Sequence, residues 1–222
     1  MMKTEAIIHL AEKRICFQTE FFRSFLTSLN LNSNSNSAST IKFLDNTLSP
    51  QKSTNLIFEE DLCIIFLPLV GAIEMICDDG NKILNSGEIA ACFVKEKQEI
   101  LIQNPYENDY VNYLEIRIKS PSISFREPFF SDFNLEFNRN SLIKISFPSI
   151  KQNVFIGKFD GRKEGFLDKV EDAFVFVISG VFEVNNRLME DRDGLLIFNS
   201  NEIDFEGLGA ENIILIVNKI RL

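Results

Sequence analysis

The chain is poor in the residues that enzymes most often use. Its 222 residues contain one histidine, His9, and no tryptophan. A metal centre built on several histidines is arithmetically excluded within one chain, and a Ser-His-Asp or Cys-His machine would have to rest on His9 alone. His9 sits in Ile7-Ile8-His9-Leu10, which reads as an edge strand carrying a structural histidine. Cysteine is scarce too, and Cys16, Cys63, Cys77 and Cys92 form no C-x-x-C pair, which excludes a zinc knuckle and a thioredoxin-like motif. Each cysteine lies in an apolar run, as expected of small core hydrophobes in a reducing compartment. Cys63 and Cys77 flank Gly71 and are expected to be cross-strand neighbours, buried rather than metal-binding. No apolar run approaches the roughly 18 residues that span a bilayer, and charges at Glu12, Lys13 and Arg14 break up any leader-like stretch. A cytoplasmic protein is the expectation.

Positive charge is the other shortage. Lysine and arginine number 23 against 32 acidic residues, giving a net charge of −9 and a pI near 4.8. Such a chain repels phosphate backbones, so neither nucleic acid nor a membrane surface is expected as a partner. What is abundant is apolar mass: 45% of the residues are hydrophobic and 22 are phenylalanine. That suffices for a sizeable core without disulfides or metals.

The dominant pattern has period two. Ile203 and Phe205 alternate with Glu202, Asp204 and Glu206, and Leu114, Ile116 and Ile118 alternate with Glu115 and Arg117, each reading as a strand with one wet face. Phe174 to Ile178 is apolar on both faces, as in a strand buried between layers. Turn residues interrupt these runs at short intervals, at Asp78-Asp79-Gly80-Asn81, Asn85-Ser86-Gly87, Asp160-Gly161, Asn185-Asn186 and Asp193-Gly194. Many short strands so spaced predict an all-β sandwich or barrel. Helix signals are weak, with a short turn expected in 20–29 and another in 131–138.

Two stretches break the alternation. Residues 30–40 are Asn/Ser-rich and free of charge, reading as a surface loop, and 120–140 hold Pro121 and Pro128 and read as a linker. The linker also carries Phe125, Phe129, Phe130, Phe133 and Phe137, an unusual apolar load expected to seal a surface or to offer a patch to a partner. On either side of it lies one plan. Residues 64–74, with Gly71, parallel 175–184, with Gly180, an internal repeat of about 110 residues.

These residues resemble the pirin-like bicupins, the family that also contains bacterial quercetin 2,3-dioxygenases. The likeness is carried by GKFDGRKEG at 157–165, FVFVISGVFEVNNRLMEDRDGLLIFN at 174–199, FLPLVGAIE at 66–74 and NPYEN at 104–108. Thr19, Glu20, Phe22, Arg23 and Ser24 resemble the opening of the first barrel. The resemblance implies an all-β bicupin: two antiparallel jelly-roll barrels, 1–119 and 141–222, joined by 120–140, with exchange of terminal strands possible. It also implies a first-barrel site in which an H-x-H pair and a later His and Glu two apart hold a metal. Counting from Gly71 and Gly87 places these positions at Ile57, Glu59, Ile100 and Ile102, where no histidine stands.

The expectation is therefore a metal-free, cofactor-free binding module whose ligand is a small apolar molecule with a polar tip, or a protein partner. Ile57, Glu59, Ile100 and Ile102 would line the first-barrel cavity, with Glu59 either inside and desolvated or outside in an acidic run with Glu60 and Asp61. An enzyme with an atypical site and a purely structural oligomer are the alternatives; a monomer or homodimer is expected. Arg162, Lys163 and Glu164 read as a solvated turn.

Overall fold

A computed structural model describes residues 5–31, 39–77, 80–119, 127–147 and 152–220. Most of the Asn/Ser-rich loop, Asp78-Asp79, Pro121 and Phe125 lie outside them. The described residues form β1 (Glu5–His9), β2 (Ile15–Gln18), β3 (Phe22–Leu31), β4 (Ser39–Leu48), β5 (Ser53–Ile57), β6 (Leu62–Val70), β7 (Ala72–Cys77), β8 (Gly80–Asn85), β9 (Glu88–Val94), β10 (Glu99–Gln103) and β11 (Val111–Lys119). There follow β12 (Phe129–Asp132), β13 (Ile143–Ser146), β14 (Gln152–Asp160), β15 (Lys163–Asp168), β16 (Val170–Ser179), β17 (Phe182–Val184), β18 (Arg187–Met189), β19 (Gly194–Phe198), β20 (Glu202–Gly207) and β21 (Glu211–Ile220). One 3-10 turn, Ala11–Lys13, is the only helical element among the described residues.

The strands fall into two units, residues 15–133 and residues 1–14 with 134–222. In the first, a seven-stranded sheet ordered β12-β9-β6-β11-β4-β3-β2 faces a four-stranded sheet ordered β5-β10-β7-β8. In the second, β1-β19-β16-β21-β14-β13 faces β15-β20-β17-β18. The pairings of β4 to β11 recur, ten strands later, in β14 to β21, so the repeat seen in the sequence is a repeat of topology. Gly71 and Gly180 hold the same place in it, joining β6 to β7 and β16 to β17 with φ of +75° and +86°. An L side chain is strained there, and the Cβ of an alanine at 180 would stand 2.5 Å from Asn212 Oδ1.

Each sandwich is closed by its own core. In the first, Leu48, Leu62, Ile64, Phe66, Val94 and Tyr113 from the large sheet meet Leu56, Ile73, Met75, Leu84, Ile100 and Ile102 from the small one. In the second, Phe159, Phe182 and Phe205 interlock edge to face, with centroids 5.0 to 6.3 Å apart. Burial on this scale, at about 25 cal/mol per Å² of apolar surface, is what holds sheets with so few turns of regular helix.

Three expectations are corrected. Residues 22–29 are strand: β3 pairs with β4 over ten residues, from Phe22 opposite Leu48 to Leu31 opposite Ser39. A short isolated helix has too little cooperativity to compete with such a ladder. Residues 129–132 are strand as well, Phe129 and Phe130 standing opposite Ala91 and Ala90, whose small side chains leave room for the rings. The division of the chain differs in its bounds, while an exchange of a terminal strand of the kind allowed for above is present. Strand β1 pairs with β19 in the second unit, from Glu5 opposite Phe198 to His9 opposite Gly194. Part of 120–140 thus belongs to the first unit, through β12, and part to the second. There Arg139 binds Asp160 Oδ1 at 2.6 Å and Glu136 at 2.7 Å, and Lys158 binds Glu136 at 2.6 Å and Glu211 at 3.1 Å. These cations hold the Glu136, Asp160 and Glu211 carboxyls below their usual range.

Candidate functional site

The inward face of β5 decides the chemistry of the first barrel. Side chains alternate along a strand, so either Leu56 and Phe58 or Ile57 and Glu59 face the interior, never both pairs. Leu56 is 7% exposed and Phe58 1%, whereas Ile57 is 58% exposed and Glu59 is exposed. The inward pair on this segment is therefore Leu56 and Phe58, and the expectation that Ile57 and Glu59 line the interior is corrected. Ile100 and Ile102 do lie inside, and Ile100 stands opposite Leu56 across the β5–β10 ladder. The structure thus brings together Leu56, Phe58, Ile100 and Ile102 and leaves Ile57 and Glu59 outside, Glu59 in the solvated run with Glu60 and Asp61.

The interior positions carry hydrocarbon alone. A metal needs imidazole, carboxylate or thiolate donors with their second shell in place, and these four side chains offer none. Among the described residues no group of three or more histidine, cysteine, aspartate or glutamate side chains is placed to hold a metal ion. Cys63 and Cys77 are not cross-strand neighbours, since β6 pairs with β9 and β11, and β7 with β8 and β10. Cys63 and Cys92 are buried thiols, and burial pushes the pKa of each up to about 12. The residues present do not fit the metal that the family resemblance implies.

Polar groups gather instead on the inner face of the large sheet. Ser24, Asn46 and Tyr113 stand abreast on β3, β4 and β11. They are 3%, 0% and 0% exposed, and among the described residues Ser24 Oγ and Asn46 Oδ1 have no hydrogen-bond partner, while Tyr113 Oη has only Asn46 beside it. Burial drives the Tyr113 hydroxyl well above its ordinary pKa, the nearby Glu115 charge adding to the effect. One row further along β11 comes Glu115, 1% exposed, which accepts from Asn46 Nδ2 at 2.9 Å and from Arg117 Nε at 2.5 Å. Arg117 in turn lies over the Phe58 ring, 5.3 Å from its centroid.

Arg117 leads out of the sandwich into a cavity of about 220 Å³ between β4, β11 and the 57–62 segment. Lys42 and Lys119 share its wall with Arg117, Glu59 and Glu60 lie opposite, and Ile57, Phe58 and Leu62 supply apolar surface. Lys119 pairs with Glu60. Two sequence-predicted residues, Ile57 and Glu59, are thus part of a cavity, though of a lateral one rather than the interior. The residues the sequence missed are Glu115 and Arg117, read there as one wet face of a strand. An acid and a base two apart on one strand face was the available signal.

Comparisons with known proteins fit this architecture. Residues 149–216 match the model of the quercetinase C-terminal cupin domain. Among solved structures, YhhW from Escherichia coli is similar at a TM-score of 0.79 with 14% identity, over 98% of this chain and 99% of that one. The bacterial pirin YhhW in complex with nickel(II), also from Escherichia coli, gives the same score and identity over 98% and 100%. An oxalate decarboxylase is similar at 0.71 with 9% identity, over 99% of this chain and 78% of the other. No curated protein matches the sequence. Two jelly-roll units in tandem repeat define a bicupin. The chain has that fold, and over nearly its whole length it is similar in fold to the bacterial pirin.

Proposed function

We propose that this chain is a metal-free bicupin that works by binding, with a small molecule as ligand, and that it runs no dioxygenase reaction. The observation that carries the reading is that the interior positions brought together here, Leu56, Phe58, Ile100 and Ile102, carry hydrocarbon alone. Oxygen activation by a mononuclear centre needs ligands that fix the metal and leave positions open for substrate and O₂, and hydrocarbon supplies neither. The scaffold around those positions is nevertheless intact, down to the paired glycines at 71 and 180, and it keeps buried polar oxygens and a charged cavity on the first barrel's sheet. Four unpaired cysteines support a reducing, cytoplasmic setting.

The test is elemental analysis of protein purified without chelators, followed by oxygen uptake with quercetin in the presence of added iron, copper, nickel or manganese. Metal far below stoichiometry and no uptake above the protein-free rate are expected. Near-stoichiometric metal, or uptake that titrates with added metal, overturns the proposal.

A further inference from the structure

Lys42 and Arg117 are register partners in the β4–β11 ladder, and Lys119 follows two residues on, opposite Thr40. Directly opposed side chains on antiparallel strands have Cβ atoms about 4.5–5.5 Å apart, where like charges destabilise the sheet. A chain of net charge −9 thus places three of its cations on one wall of one cavity. Two of them have local carboxylates: Glu115 engages Arg117 through Nε only, and Glu60 engages Lys119. Lys42 has no ion pair among the described residues, and the two terminal nitrogens of Arg117 donate no hydrogen bond among them. The repulsion between Lys42 and Arg117 is left without an internal counter-charge between them.

On the reading that the chain is a binding module, the geometry points to a small organic monocarboxylate as the occupant of this cavity. Its two oxygens sit between the terminal nitrogens of Arg117 and the Lys42 ammonium, and its body rests on Ile57, Phe58 and Leu62. The guanidinium is a planar fork that matches a planar two-oxygen group. Its plane is already fixed, by Glu115 on Nε and by the Phe58 ring beneath, so little freedom is lost when the carboxylate arrives. Glu59 and Glu60 on the facing wall disfavour a dianion such as phosphate, and charge separation across the cavity selects a ligand with one charged end. The volume of about 220 Å³ equals roughly seven waters at about 30 Å³ each, which admits a body the size of benzoate or isovalerate.

The test is titration of the full chain with benzoate, isovalerate, benzamide, inorganic phosphate and a tripeptide acid, followed by amide chemical shifts and calorimetry. Saturable binding of a carboxylate is expected, moving the amides of 57–62 and 117, with benzamide and phosphate at least about tenfold weaker, or 1.4 kcal/mol. Lys42→Glu, at an exposed position, should weaken carboxylate binding by at least the same factor without lowering the melting temperature, since it replaces a like-charge cross-strand pair by an opposite-charge one. Lys163→Glu, at an exposed position of β15 in the other unit, should change nothing. The assignment is overturned if neither carboxylate moves those amides, if benzamide or phosphate binds as well, or if Lys42→Glu binds unchanged. A tripeptide acid binding more tightly than benzoate would give the site to protein C-termini and equally overturn it. These failures are distinct from that of the parent reading, which falls only on metal content and oxygen uptake.

Discussion

The backbone amide of Ala11 donates to Asp193 Oδ1 at 2.8 Å, joining residues 182 apart in the chain. The other oxygen of the same carboxylate accepts from the Glu190 amide at 3.0 Å. One side chain, 7% exposed, therefore both shapes the turn before β19 and pins the segment that follows β1. Hydrogen bonds to a charged acceptor contribute about 1.5–3 kcal/mol each. Asp193→Ala should cost roughly 3 kcal/mol in urea unfolding, allowing for partial replacement by water. Hydrogen exchange at residues 5–9 should accelerate in this variant more than exchange in β16 or β21; equal acceleration throughout would show that the latch is not local.

His9 gives the fold a defined response to acid. Its Nε2 is buried without a partner, its ring meets Phe174 edge to face at 6.1 Å, and burial lowers its pKa below 6.5. The unfolded chain therefore takes up a proton that the folded chain refuses. Stability is full above the unfolded value of about 6.5 and is lost as pH falls from there through the folded pKa. Denaturation midpoints measured across that window should decline, and His9→Gln should flatten the part of the decline that begins nearest neutrality. A variant with an unchanged slope would remove His9 as the cause.

Glu115 and Arg117 should be strongly coupled. Removing one partner of a buried pair leaves a charge without compensation and typically costs 3–5 kcal/mol, whereas replacing both by apolar residues is often neutral. Arg117→Leu is expected to lose about 3 kcal/mol, since Asn46 still donates to the carboxylate. Glu115→Leu combined with Arg117→Leu should recover most of that loss. A double-mutant cycle by chemical denaturation gives the coupling directly, and additive effects would deny it.

The thiols should sort by accessibility. Cys16 is exposed, while Cys63 and Cys92 are buried and hold their protons up to about pH 12. The thiolate is the reactive form, so iodoacetamide should label Cys16 in the native protein and reach Cys63 and Cys92 only when the chain unfolds. Peptide mass spectrometry after a short native pulse separates the sites, and early modification of Cys92 would count against a closed core.

The fold was largely legible because period-two alternation and positive-φ turns are local signals, and because the Gly71 and Gly180 segments repeat each other. Pairing partners were not. Nothing near Ile7 and Ile8 announces that they join a strand beginning at Gly194, since that contact depends on residues almost the length of the chain away. The candidate site was read half correctly for a related reason. A one-residue shift along β5 exchanges the two faces of the strand, so the expectation put Ile57 and Glu59 inside where Leu56 and Phe58 are buried, while Ile100 and Ile102 are buried as expected. Glu115 was misread because a buried acid and a solvated one look alike in an alternating pattern. Only the neighbours Asn46 and Arg117 distinguish them.

The exchange of edge strands also sets an order of events during synthesis. The first unit has all its strands once residue 133 has been made, and it can form its core while the ribosome is still translating β13. The second unit lacks β1, which was made before any of its other strands and has no place to dock until β19 exists. Bringing the two together closes a loop of nearly 190 residues, and the entropy of that closure rises with the logarithm of its length. Strand β1 thus waits for β19 although it precedes every other strand of its unit in the chain, and until then Ile7 and Ile8 have only the solvent, or another nascent chain, for company.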